Sequence, residues 1–175
     1  MKIITNKRNF FFCFSILILI FNLLNSIVFA QYRYLPELYQ PQNLPKVEAK
    51  LADKKLNLML ARTDYQKAKG LMFYKEIASD TGMLFIYNTP HKMSFWMMNT
   101  RIPLDLIFFS KDLVVTEYIK DMKPGYGINP NLLPHYDSKG DAQYALELKS
   151  GCIDEFQIKI GDRLEIPQIL LYSDY

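Results

Sequence analysis

The sequence predicts a mainly β fold of about seven strands and two short helices. Apolar residues alternate with polar ones, or form short apolar blocks of strand length, over most of the chain after residue 50. The connections between these blocks are mostly too short for a crossover helix, so most strands are predicted to be antiparallel. Half of the residues are hydrophobic, which is typical of a chain with a substantial core and excludes a disordered tail.

The first 30 residues have the three-part plan of a secretory signal peptide. Residues 1–9 are short and positively charged, residues 10–21 are almost wholly apolar, and the segment ends at Val28-Phe29-Ala30. Such a signal would direct the protein to the periplasm or the medium, and cleavage is predicted before Gln31. The alternative is an uncleaved N-terminal membrane anchor, which the polar residues in its second half disfavour.

The net charge of +3 belongs to this leader. Three of the 21 basic residues lie in the first nine positions, which leaves 18 basic residues against 18 acidic ones. A domain without net charge has no long-range field that attracts polyanions. We therefore expect a small molecule or a cell-envelope component as partner, no nucleic acid, and membrane contact only through a retained leader.

The domain itself is predicted to span residues 51–175, after a proline-rich tether at residues 31–50 that has no hydrophobic period. The alternation from Leu56 to Ala61 predicts the first strand. Thr63 and Gln66 form a capping-box pattern, which predicts a short helix over residues 64–70.

Four strands, a long loop and a final strand follow this helix. The loop at residues 120–141 is rich in proline and glycine, and loops of that length are often lids or binding loops. After the last strand, we expect a short helix that stops at Gly161 and an extended edge segment that contains Pro167. The predicted strands cover residues 83–88, 94–99, 104–109, 113–119 and 142–149.

Five motifs resemble the uncharacterised family known as domain of unknown function 192. They are GLMF at 70–73, GMLF at 82–85, SFWMMNTRIPLDLIFF at 94–109, YALELKSG at 144–151 and IGDRL at 160–164. The resemblance implies one antiparallel β-sandwich of roughly jelly-roll type with one or two short helices, often behind an export signal. It implies no activity and no cofactor. Many relatives have a cysteine near the position of His135, so shared thiol or metal chemistry is not carried over to this chain.

Asp105 interrupts an otherwise apolar strand. An unpaired buried carboxylate is costly, so Asp105 must have partners. We expect these to be loop backbone groups, or Thr100 and Arg101 of the preceding NTRIP turn, in a structural role. The functional alternative is a ligand-binding acid at the mouth of a pocket.

Two further polar residues lie on predicted strands. Asn99 shares a face with Phe95, where its amide caps strand ends or meets a ligand. Glu147 shares a face with Ala145 and Lys149, which predicts a solvated residue paired with a base. The alternative for Glu147 is that it lines a cleft.

These observations favour a non-catalytic binding module, with the long loop and the NTRIPLD turn as the rim of its site. No catalytic residue and no metal ligand is predicted. One alternative is an envelope hydrolase that uses Asp105 with Glu147 or His135. The ligand-binding candidates are Asn99, Thr100, Arg101, Asp105, His135 and Glu147.

A second alternative is a soft-metal (copper) site at His91 and the methionines that follow it. Strand geometry argues against it, since Met93 and Met97 should face away from Met98. Cys152, which is the only cysteine outside the leader, is predicted to be a buried filler, with a reactive thiol as the alternative.

Overall fold

The structure is a computed structural model that describes residues 39–172. The predicted signal peptide and the first part of the predicted tether, residues 31–38, lie outside the described residues. Within residues 39–172, no helix is long and apolar enough to cross a membrane.

Six strands form one open mixed sheet in the order β1-β2-β3-β8-β5-β6, and β4 pairs with β7 in a separate two-stranded sheet. Neighbouring strands are antiparallel except β2 and β3, which are parallel and are joined through helix α1. The strands are β1 Lys46–Leu51, β2 Lys54–Ala61, β3 Thr81–His91, β4 Ser94–Phe95, β5 Leu104–Phe109, β6 Val115–Met122, β7 Tyr136–Asp137 and β8 Ala142–Lys149. The helices are α1 Asp64–Lys69, a 3-10 helix Pro130–Leu132, α2 Cys152–Glu155 and α3 Ile169–Tyr172. The mainly β prediction is confirmed, whereas the jelly-roll detail stays a prediction.

The predicted tether is too long at its C-terminal end. Its last five residues belong to β1, which pairs with β2 and buries Ala49 and Leu51. The prolines at positions 36, 41 and 45 dominate this segment and conceal the short alternation that follows Pro45.

Other predicted elements also differ from the structure. The helix predicted to stop at Gly161 ends at Glu155. The strand predicted at 94–99 ends at Phe95, since its partner β7 offers only two residues for pairing, and the chain then turns at Asn99, whose φ is 54°. The loop at 120–141 is partly ordered by the end of β6, the 3-10 helix and β7. The extended segment near the C-terminus makes only isolated bridges, at Arg163 and Glu165, and ends in helix α3.

The large sheet separates two apolar clusters, one on each face. On β8, Leu146 and Leu148 belong to the cluster on the first face, whereas Ala145 belongs to the cluster on the second face. Helix α2 and the segment after it cover the first face with Cys152, Ile153, Phe156, Ile158 and Leu164. The second face is covered by the segments that carry Leu71, Ile77, Met93, Phe95 and Met97.

Helix α1 ends beside the second face. The predicted capping box is present, since the Thr63 hydroxyl accepts from the Gln66 backbone N–H and the Gln66 side chain accepts from the Thr63 N–H. The amide of buried Gln42 donates to the carbonyl oxygens of Gln66 and Gly70, which fixes the end of the helix.

Candidate ligand-binding site

A small pocket lies on the second face of the sheet, over Glu147. Its volume is about 30 Å³, which is enough for one water-sized group. Its walls come from the end of α1, from β3 and from the segment after β4. The lining residues are Lys67, Ala68, Lys69, Gly70, Leu71, Met72, Phe85, Phe95, Trp96, Met98, Thr100 and Glu147.

Glu147 is buried in this pocket, with 4% of its surface exposed. Its Oε2 atom has no hydrogen-bond partner in the described part of the chain. The residues paired with it across the sheet are Met83 on β3 and Leu106 on β5, which offer no polar side chain. Burial raises the pKa of Glu147 to about 8, so the carboxyl group holds a proton at neutral pH.

The predicted solvated position of Glu147 is wrong. Lys149, at the end of β8, is exposed, but loop segments cover the same face at Ala145 and Glu147. The alternative, that Glu147 lines a cleft, agrees with the structure.

The lysines beside the pocket direct their ammonium groups to other partners. Lys67 Nζ lies 3.2 Å from Asp64 Oδ1 and 4.4 Å from the ring centroid of Tyr87. Lys69 Nζ lies 3.3 Å from the hydroxyl oxygen of Tyr65. Burial, and then the nearby carboxylates of Glu147 and Asp64, raise the pKa of the Tyr87 phenol.

Gly70 allows the chain to pass close to the Glu147 carboxyl group. Its φ is 46°, in the region that favours glycine. A Cβ at this position would lie 3.4 Å from Phe85 Cζ and 3.8 Å from Glu147 Oε2. A side chain here would therefore occupy space next to the carboxyl oxygen.

The NTRIP turn forms part of the wall and joins two other segments to it. The Asn99 carbonyl accepts from the Phe73 N–H at 2.9 Å, which holds the GLMF segment. Thr100 is buried and lines the pocket, and its carbonyl accepts from the N–H groups of Gly125 and Tyr126 in the long loop. Asn99 thus acts through its backbone, and the ligand contact of its amide stays a prediction.

Asp105 lies on the opposite face of the sheet and has a structural role. Its carboxylate accepts from the N–H groups of Asp121 at 2.9 Å and of Gly151 and Ile153 at 3.0 Å each. It caps α2, whose N-cap Gly151 has no side chain to do so. The expected backbone partners are present. The other expected partners point elsewhere, since the Thr100 hydroxyl donates to the Met98 carbonyl and the Arg101 guanidinium lies over the Tyr126 ring.

The acid pair of the hydrolase alternative does not converge. Asp105 pairs with Leu148 across the β5–β8 ladder, and Leu106 pairs with Glu147. Because successive strand residues point to opposite faces, the two carboxyl groups lie on different sides of the sheet.

His135 and Arg101 lie at the surface near the pocket. The Arg101 guanidinium lies 3.9 Å from the ring centroid of Tyr126. His135 Nδ1 is 3.1 Å from Ser94 Oγ, and its ring centroid is 6.3 Å from that of Trp96. His135 stands beside Trp96 and does not line the pocket, so the structure brings it to neither Asp105 nor Glu147.

The residues of the copper alternative are dispersed. Met93 and Met97 are buried in the apolar cluster, whereas Met98 lines the pocket. His91 Nδ1 lies 2.9 Å from the Thr89 carbonyl oxygen. Over residues 39–172, no group of three or more His, Cys, Asp or Glu side chains is placed to hold a metal ion.

Cys152 is buried at the start of α2, in agreement with the prediction of a filler. Burial, and then the charges of Glu155 and Asp105, raise the pKa of its thiol to about 11. A group with such a pKa is a thiol at neutral pH, which argues against the reactive alternative.

The segment that builds both the sheet and the pocket also carries the family relationship. A family model described as uncharacterised ACR, DUF192, matches residues 46–166. The chain belongs to the DUF192 family. This match includes every residue that lines the pocket.

Two solved structures are similar to this DUF192 chain. One, from Sinorhizobium meliloti 1021, is provisionally described as a transcription regulator. It is 28% identical, with a TM-score of 0.62 over 71% of this chain and 97% of that one. The other, from Novosphingobium aromaticivorans, is a protein of unknown function. It is 33% identical, with a TM-score of 0.63 over 70% of this chain and 86% of that one. The search of curated proteins found no match.

Sequence reasoning missed most of the pocket wall in this DUF192 domain. It singled out Thr100 and Glu147, which the structure places in one pocket, but not Gly70, Phe85 or Trp96. The available signal was the GLMF motif directly after the capped helix, since a glycine there marks both a helix end and a close approach of the backbone.

Proposed function

We propose that this domain binds a small molecule whose terminal group enters the pocket over Glu147. The observation that carries this proposal is the buried Oε2 atom of Glu147, which lies at a pocket and has no hydrogen-bond partner among residues 39–172. Buried polar atoms in folded proteins are nearly always hydrogen-bonded, and an unsatisfied one costs on the order of 1–3 kcal/mol. A ligand group that contacts this oxygen would remove that cost.

The same geometry favours binding over catalysis. General acid–base chemistry needs a second titratable group within reach of the same atom. The lysines that line the pocket, Lys67 and Lys69, hold their ammonium groups near Asp64, Tyr87 and Tyr65. Glu147 is therefore placed to hold a ligand group without a partner for proton transfer.

We infer from the leader that the domain works outside the cytoplasm. Export followed by cleavage would give a mature N-terminus at Gln31, and N-terminal sequencing of the exported protein tests this directly. A sequence that begins at Met1 would support the membrane-anchor alternative instead. The balanced charge after residue 9 supports a partner other than nucleic acid, whatever the description of the Sinorhizobium protein.

The emission of Trp96 provides the test. It is the only tryptophan of the chain, it lines the pocket, and 38% of its surface is exposed. We would titrate the protein with four small probes: ethylamine, ethanol, acetamide and acetate. We expect a saturable change in emission with at least one probe.

Two variants locate the response. Glu147→Gln should alter the affinity for the responding probe, whereas Glu155→Gln, at an exposed glutamate of helix α2, should not. If none of the four probes gives a saturable change in the wild-type protein, the proposed function is wrong.

A further inference from the structure

We propose that the group which enters this pocket is a protonated primary amine, held by the Glu147 carboxylate between aromatic rings. This inference rests on the proposed function and names its ligand class.

The walls of the pocket are suited to a small cation. Phe85 and Phe95 meet edge to face with ring centroids 5.1 Å apart, and Trp96 lines the pocket beside them. The faces of aromatic rings attract ammonium groups, most strongly for tryptophan.

The size of the pocket selects the head group. A volume of about 30 Å³ accepts an ammonium group, which is close to a water molecule in size. A phosphate or carboxylate head group is larger, and its charge would face the Glu147 oxygen. Ethanol and ethylamine differ little in size, so charge alone decides between them.

The other charged and titratable groups around Glu147 either have partners elsewhere or are neutral. An amine in this pocket would therefore pair with the Glu147 carboxyl group. From α1 come Lys67 and Lys69, whose ammonium groups lie at Asp64, Tyr87 and Tyr65. From β3 comes Tyr87, whose phenol is neutral at physiological pH because its ordinary pKa of 10 already lies well above that pH, and burial raises this pKa further. The facing positions of β5 and the segment 93–98 are occupied by Leu104, Leu106, Met93, Phe95, Trp96, Met97 and Met98.

Binding of an amine is then coupled to release of a proton. The empty site holds a neutral carboxyl group, because burial raises the pKa of Glu147 to about 8. The cation R–NH₃⁺ favours the carboxylate, so the carboxyl proton passes to solvent and the bound state is an ammonium–carboxylate pair. One positive charge enters and one leaves, as H⁺. An alcohol makes a hydrogen bond to the same group and releases no proton.

The experiment compares ethylamine with ethanol in the full-length protein. Trp96 fluorescence gives the affinity at pH 7 and pH 8, and calorimetry in phosphate and in HEPES, neither of which contains a primary amine, gives the number of protons released. For a pKa of about 8, we expect roughly 0.9 proton released per ethylamine at pH 7 and about fivefold tighter binding at pH 8. Ethanol should bind more weakly and with no proton release.

Variants make the result specific to the pocket. Glu147→Gln should abolish the preference for ethylamine and the proton release, whereas Glu155→Gln should leave both unchanged. The wild-type comparison alone is decisive even if Glu147→Gln does not fold, because it needs only the two probes.

Failure of this inference differs from failure of the proposed function. Tighter binding of ethanol than of ethylamine at pH 8, or ethylamine binding without proton release, would overturn the proposal that the ligand is an amine. The proposed binding function would still stand. No binding of any of the four probes would overturn both.

Discussion

The buried carboxyl group of Glu147 should make the protein less stable as the pH rises. Glu147 titrates with a pKa of about 8 in the folded protein and near its ordinary value of 4.5 in the unfolded chain. The folded state therefore holds the proton more tightly, and the unfolded state loses it first. The contribution to stability is complete below pH 4.5, falls between pH 4.5 and about 8, and is constant above that window.

The size of this effect follows from the difference between the two pKa values. Each pH unit inside the window removes about 1.4 kcal/mol from the free energy of unfolding. Over the whole window, the loss is about 5 kcal/mol, which is a large part of the stability of an ordinary domain. Glutamine has nearly the same shape and does not titrate, so Glu147→Gln should remove this loss.

The assay is urea unfolding of the wild-type protein and of Glu147→Gln, followed by far-ultraviolet circular dichroism from pH 4 to pH 9. The difference in unfolding free energy between them should change by about 5 kcal/mol in favour of glutamine as the pH rises. The exposed Glu155→Gln provides the matched control and should parallel the wild type. Parallel pH profiles for wild type and Glu147→Gln would refute the buried, unpartnered carboxyl group and the proposals that rest on it.

Three further predictions concern other parts of the fold. Asp105→Asn places an amide donor against backbone N–H groups and should lower the free energy of unfolding, measured in urea, by about 2–4 kcal/mol. The exposed Asp112→Asn should cost less than about 0.5 kcal/mol, and equal losses would contradict the capping role of Asp105. Gly125→Ala should lower the thermal midpoint because its Cβ would overlap a backbone carbonyl, whereas Gly140→Ala, with open space around it, should leave the midpoint unchanged. The Cys152 thiol should resist dithionitrobenzoate at pH 8 until urea unfolds the domain, as peptide mapping would show; rapid labelling of the native protein would contradict its burial and raised pKa.

Local patterns were sufficient for much of the fold. The capping box fixes the start of α1 through contacts between Thr63 and Gln66, which are three residues apart. The apolar run of β5 has the length and composition of a buried strand, although its partners β6 and β8 lie elsewhere in the sequence. The burial of Asp105 was also predictable, because a carboxylate among apolar strand residues needs donors wherever they come from. Its actual donors are 16 to 48 residues away along the chain, so no local pattern could identify them.

The site depended on contacts that no local pattern reveals. An alternation indicates which residues of β8 share a face but not how much of that face is covered by other segments. The pattern therefore predicted the same exposure for Glu147 as for Lys149, which is exposed. The cover comes from helix α1 and the NTRIP turn, which are distant in sequence. Similarly, β1 is recognisable only once its pairing with β2 is known. Its six residues follow a proline-rich segment and are too few to show a strand pattern on their own.

Two acids occupy successive rungs of the ladder between β5 and β8, one pointing to each side. A slip of one position in either strand would turn its acid to the wrong side. Asp105 would then enter an apolar layer without its three amide donors, or Glu147 would leave its cleft and meet the packed core. The two acids therefore fix the register at the centre of the sheet, because each carboxyl group is accommodated on one side of the sheet only.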